Sequence, residues 1–257
     1  MIQTWAQQQI TRFFGGRKLP SRMQCDEIAQ SVSGASTISP VESPGSTSYT
    51  VVCQGRPKLQ QDLVVSFREP GAVLDEEIVK LAREIHGDLV PESTCHGSVE
   101  GADPPLFIYS MLYLRGLSYI EVLAFEVEMD PDEEAKHKVF IKDLARYFAR
   151  CWSSPQSVDR QTQAEQQEGI RKRLAQLLKE SPSILSNSVM FELIDDLPRL
   201  FSQDYPQVLT HRDFSVTRFL VRCKGRRLRL LHNAHREVDK GFDIIDRPWV
   251  KPRGGKK

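Results

Sequence analysis

Between Leu74 and His86 the apolar residues Leu74, Ile78, Leu81 and Ile85 recur at spacings of four, three and four, which predicts a helix with one buried face. Gly87 follows, a residue suited to the left-handed position after a helix. Upstream the period is two rather than 3.6. Residues 48–54 (SYTVVCQ) and 62–68 (DLVVSFR) are β-branched and aromatic runs on either side of a turn-rich Gly55, Arg56, Pro57 stretch, which predicts a hairpin. A short apolar stretch from Ile38 to Val41 precedes it, joined to the first hairpin strand by the polar loop Glu42 to Ser46 (ESPGS). Leu106 to Met111 predicts a further strand, and Leu112 to Gly116 a connector leading out of it.

Past the connector the pattern is helical. Val139 to Trp152 turns Phe140, Leu144, Tyr147, Phe148 and Cys151 inward; Ile170 to Leu178 is a second stripe, and Ser188 to Phe201 a third, disturbed by Pro198. Residues 153–167 are rich in Gln, Ser and charge without an apolar period, and are expected to form an exposed excursion. A short extended stretch from Val208 to Val221 lies within this helical half. The order predicts an α+β chain of two lobes. Residues 1–112 hold an N-terminal amphipathic helix and a β-rich lobe, 113–221 a helical lobe and 222–257 a tail.

Composition agrees with a folded chain: 257 residues, 40% hydrophobic and 27% charged, suffice for one large domain or two lobes. The net charge of +1 conceals an asymmetry, because residues 222–257 carry +8 and the rest −7. Such a tail can neutralise phosphates. No aromatic residues interleave with Arg226, Arg227 and Arg229 as stacking platforms, so nucleic acid is not the expected partner. The five cysteines form no CxxC pair, which speaks against a zinc ribbon or a disulfide framework and for a reducing compartment. No apolar run approaches the roughly 20 residues that span a bilayer. The first 25 residues contain no acid and place Ile2, Trp5, Ala6, Ile10, Phe13 and Phe14 on one helical face. Mitochondrial transit peptides and helices packed on a domain share this pattern. The cytoplasm is the expected location, with the mitochondrion as the alternative.

Candidate chemistry centres on residues 208–221, VLTHRDFSVTRFLV. A His two residues before an Asp, between strand-like flanks, suits a loop in which Asp213 orients an acceptor hydroxyl as a weak base and His211 braces it. The alternative is an Asp that caps a turn beside an incidental His.

THRDFSVTRFLV resembles the H-G-D-x-x-x-x-N catalytic loop of the aminoglycoside-phosphotransferase-like kinases, in the form abundant in fungi. Three further strings resemble the same family in the same order. They are SYTV followed by VVSFR, the block LD…IHG.LVP carried by Leu74, Asp75, Ile85, His86, Gly87, Leu89, Val90 and Pro91, and the hinge-like IYSMLYLRG from Ile108 to Gly116. The resemblance implies a protein-kinase-like two-lobe fold with ATP and Mg²⁺ between a β-rich N-lobe and a helical C-lobe. The loop with Gly45 and Ser46 would then cover the phosphates with its backbone N–H groups. A carboxylate from the helix, Glu77 or Glu84, would pair with a base on the second hairpin strand.

Several positions depart from that family. Ser66 stands at the likeliest register for the strand lysine, and Arg68 is the only cation on its face, either a substitute phosphate ligand or an exposed strand-end arginine. Arg218 replaces the metal-binding Asn; its fixed charge would repel a divalent ion by about 4 kcal/mol per unit charge at 4 Å and an effective dielectric near 20, so a direct phosphate contact is its alternative role. Arg212 replaces Gly between His211 and Asp213. His232 stands where a metal-binding Asp is expected, which leaves Asp246 as the best carboxylate for Mg²⁺. The C-lobe is expected to be shortened, with apolar surface that would favour self-association. Two readings stay open: an ATP-dependent phosphotransferase acting on a hydroxyl of an unidentified small molecule, and an inactive pseudokinase serving as a binding or scaffold module.

Overall fold

The N-terminal amphipathic stretch folds as α1 (Trp5–Phe14), opened by a reciprocal cap. The Thr4 hydroxyl accepts the N–H of Gln7 while the Gln7 side chain accepts the N–H of Thr4. The same box, Ser21 with Gln24, opens α2 (Arg22–Ser33), which ends on Gly34 at φ 66°. These details come from a computed structural model that describes residues 4–17, 20–42, 44–55, 61–122, 130–180, 186–202, 205–211, 220–224, 227–231 and 242–245.

The chain continues through β1 (Thr37–Pro40), β2 (Ser48–Gln54), β3 (Leu63–Arg68), α3 (Glu76–His86), β4 (Ser93–Ser98) and β5 (Phe107–Leu112). These five strands form one antiparallel sheet in the order β1-β2-β3-β5-β4. After it come β6 (Leu117–Ser118), the single turn α4 (Tyr119–Val122), α5 (Pro131–Trp152), β7 (Pro155–Gln156), α6 (Arg160–Glu180), α7 (Asn187–Leu200), β8 (Gln207–His211), β9 (Leu220–Lys224), β10 (Arg227–Leu231) and β11 (Phe242–Ile245). The strands outside the main sheet make two small sheets, β10-β9-β6 and β11-β8-β7.

Packing divides the chain into two units, Met1–Phe148 with His211–Phe242, and Ala149–Thr210 with Asp243–Lys257. The α+β character is as expected.

In the first unit the two-residue period of the strands sorts the main sheet into two buried faces. Tyr49, Val51, Cys53, Val65, Phe67 and Ile108 pack with Ile10 and Phe13 of α1 and with Cys25 and Ala29 of α2. Burying a residue such as Phe13 is worth about 1.5–3 kcal/mol, whereas a helix as short as α1 is marginal on its own, so tertiary contact is what holds it. On the opposite face Val64, Tyr109 and Met111 pack with Leu74 and Val79.

α3 begins on Asp75, whose carboxylate accepts the Ile78 N–H at 3.1 Å, and ends at Gly87 with φ 61°. Its deepest residues are Ala82 and His86, at 0% and 1% exposure, while Ile78, Leu81 and Ile85 are half-buried. The buried stripe is thus rotated by about a quarter turn from the apolar one. The His86 ring enters the interior, where it stacks on that of Tyr147.

In the second unit α6 and α7 pack together. α6 corrects the expected excursion: residues 160–167 are helical although the helix fully buries none of its side chains. Gln, Glu and Arg favour helix without any apolar period, and Asp159 starts it by accepting the N–H groups of Gln161 and Thr162 at 3.0 and 2.9 Å. The Thr162 hydroxyl also donates to Asp159, and these bonds hold its carboxyl below the ordinary value. α7 buries Met190 and Leu197 and carries Pro198 in its last turn. No helix among the described residues is long and apolar enough to cross a membrane.

Candidate functional site

Residues 41–47 join β1 to β2, and within them Gly45 is buried while Ser46 is exposed. β2 leaves this loop with Ser48 and Thr50 on one face, directly opposite Arg68 and Ser66 of β3. All four side chains are buried. The Thr50 and Ser66 hydroxyls lie 3.0 Å apart, and Ser48 and Thr50 are linked at 3.4 Å. The result is a row of hydroxyls leading to one guanidinium. Strand alternation in 48–54 held the signal for it, since polar positions 48 and 50 alternate there with Tyr49 and Val51.

Arg68 is 1% exposed, which excludes the alternative of a solvent-exposed strand-end arginine. Taking such a charge out of water costs several kcal/mol unless the protein compensates it. Its Nη1 donates to the carbonyl oxygen of Ala72 at 3.0 Å, and its guanidinium carbon lies 5.9 Å from the centre of the Tyr109 ring. Burial and the neighbouring Cys95 push the Tyr109 phenol upward, and Arg68 pulls it the other way. Ser66 also faces Tyr109 across β3 and β5, so the position expected for a lysine is filled by a small hydroxyl locked into its strand neighbours.

The expected carboxylate partner is not brought to Arg68. Glu77 and Glu84 are exposed, and neither forms an ion pair among the described residues. At 3.6 residues per turn both lie on the side of α3 away from Ala82 and His86, the residues it buries. Glu69, next to Arg68, is instead paired with Arg17, which follows α1.

His211 closes β8 and is 7% exposed, with its backbone N–H donating to the Tyr147 hydroxyl at 3.2 Å. Tyr147 was legible in the sequence only as an inward-facing residue. Asp213, Arg212, Arg218 and Asp246 lie outside the described residues, so the structure places neither the candidate base nor the candidate Mg²⁺ carboxylate. Among the described residues no three His, Cys, Asp or Glu side chains gather as a metal site.

Chemically, the described part is a buried cation with three buried hydroxyls on one face of the sheet. The hydroxyls of Ser48, Thr50 and Ser66 are linked to one another, and the strand that carries two of them leaves the loop with the buried Gly45. Compared with known proteins, the chain matches no family model and no curated protein.

Proposed function

We propose that this chain is a kinase-like phosphotransferase that moves the γ-phosphoryl group of ATP to a hydroxyl of a small molecule. The observation that carries the reading is Arg68, a fully buried cation at the end of β3 on the face shared with Ser48, Thr50 and Ser66. The arrangement around it is consistent: a five-stranded antiparallel sheet with a helix between its third and fourth strands, and a glycine-bearing loop between its first two. In this reading Arg68 and the N–H groups around Gly45 and Ser46 hold phosphate oxygens. Asp213 orients the acceptor hydroxyl and takes its proton, while His211 braces the start of the loop. Arg218 contacts phosphate, and Asp246 is the carboxylate assigned to Mg²⁺.

A second reading has its own support. Ser66, bonded to Thr50, fills the lysine register, and Glu77 is exposed, so the lysine–glutamate pair of an active kinase has no counterpart among the described residues. An inactive pseudokinase serving as a binding or scaffold module fits these two facts.

Thermal unfolding with ATP, with and without Mg²⁺, separates the readings. Nucleotide at 100 times its dissociation constant should stabilise the fold by about 2.7 kcal/mol. Stabilisation that depends on Mg²⁺ supports the phosphotransferase, and equal stabilisation without it supports the pseudokinase. No shift with any nucleoside triphosphate would sink the phosphotransferase reading.

A further inference from the structure

Three buried residues from distant parts of the sequence meet in the first unit. His86, the last residue of α3, lies nearly parallel to the ring of Tyr147 on α5, with centroids 4.2 Å apart and planes 10° from parallel. Both are 1% exposed. The Tyr147 hydroxyl in turn accepts the backbone N–H of His211 at 3.2 Å. His211 is the last residue of β8, and Asp213 stands two residues beyond it.

A backbone N–H has a direction fixed by its peptide plane. Whatever holds that N–H sets the orientation of the peptide that joins Thr210 to His211. A tyrosine hydroxyl lies at the tip of a rigid ring, so its position is set by whatever clamps the ring. Here the clamp is the flat face of His86, which ends the helix packed beside the Arg68 face of the sheet. The two contacts form a short relay from α3 to His211 at the end of β8.

We propose that Tyr147, clamped by His86, is a positioning residue that fixes the backbone of His211, two residues before Asp213 in the sequence, and links it to the placement of α3. The catalytic consequence rests on the phosphotransferase reading above; the positioning itself does not.

The test uses the full chain and two readouts. Tyr147→Phe keeps the ring and the stack but removes the acceptor. Amide hydrogen exchange at His211 should become about tenfold faster, the factor for one net hydrogen bond, while the amides of β3 and β5 keep their rates. His86→Ala should have the same effect and His86→Phe, which restores a ring, should not. With ATP and Mg²⁺, and water as acceptor, kcat should fall about tenfold in Tyr147→Phe while KM for ATP stays within about twofold. Unchanged exchange at His211 overturns the proposal. Faster exchange in a protein that no nucleoside triphosphate stabilises upholds the positioning and removes the phosphotransferase reading instead. Faster exchange with unchanged kcat in an active wild type overturns the catalytic link. Should Tyr147→Phe fail to fold, the His86 pair decides: equal exchange at His211 in the Ala and Phe variants overturns the relay.

Discussion

Arg68 donates from its Nη1 to the carbonyl oxygen of Ala72, 3.0 Å away, and so ties the end of β3 to the turn that leads into α3. The strand that carries the cation and the turn that precedes the helix are joined by the cation itself. Replacing Arg68 with alanine removes that bond and leaves a void, and the two effects together should cost about 3 kcal/mol in urea unfolding. Arg68→Lys keeps the charge but loses the planar fork, so its cost should stay near 1 kcal/mol. Both variants should weaken stabilisation by ATP, alanine more than lysine. An alanine variant as stable as the wild type would show that the guanidinium is not seated as described.

Asp213 is assigned to the acceptor side, not to nucleotide. Asp213→Ala should therefore abolish ADP release while leaving the ATP-induced rise in Tm intact. Loss of both in a variant with unaltered circular dichroism would move Asp213 to the nucleotide side and overturn its role as base.

Tyr49 joins α2 to the sheet. Its hydroxyl donates to Asp26 Oδ1 at 2.7 Å and accepts from Arg22 Nε at 3.2 Å. Tyr49→Phe keeps the ring within the cluster of Phe13, Phe14 and Phe67 but strips Asp26 of this donor, at an expected cost of about 1–2 kcal/mol. Chemical denaturation measures it. A change below a few tenths would mean that α2 is held by apolar packing alone.

Cys25 should be inert and Cys95 reactive. Burial, reinforced by Asp26 and opposed by Arg17, pushes the Cys25 thiol from its ordinary value of 9.0 to about 12, whereas Cys95 is exposed on β4. Mass spectrometry after iodoacetamide treatment at about pH 8 should find Cys95 modified and Cys25 untouched until the protein is unfolded. The same shift links stability to pH. Above pH 9.0 the thiol of the unfolded chain loses its proton while the folded one keeps it, so this contribution is complete below 9.0 and is lost as pH rises toward about 12. Cys25→Ala should flatten that part of the alkaline unfolding profile.

The sequence by itself determined the local elements whose side chains repeat at a clear period. The hairpin of β2 and β3, the end of α3 at Gly87, and the strand β5 all follow from spacing that the backbone imposes. It also singled out Arg68 and His211 as the residues worth following. α2 escaped that reading because its apolar positions are few and Met23 faces out at 67% exposure; only the box of Ser21 with Gln24 and the stop at Gly34 mark it. The first two turns of α6 escaped because a helix needs no apolar face when its residues favour helix and Asp159 caps it.

Tertiary structure alone decided what surrounds the candidate residues. Whether an arginine at the end of a strand meets solvent or the interior depends on what packs over that face, and here Leu74, Val79 and Tyr109 close that face of the sheet. Whether Glu77 could reach Arg68 depended on which side of α3 is buried, a side centred on Ala82 and His86. The link from His86 through Tyr147 to His211 joins residues 61 and 64 positions apart along the chain. Periodicity reports which way a residue faces within its own element, and such a contact exists only once the elements have packed.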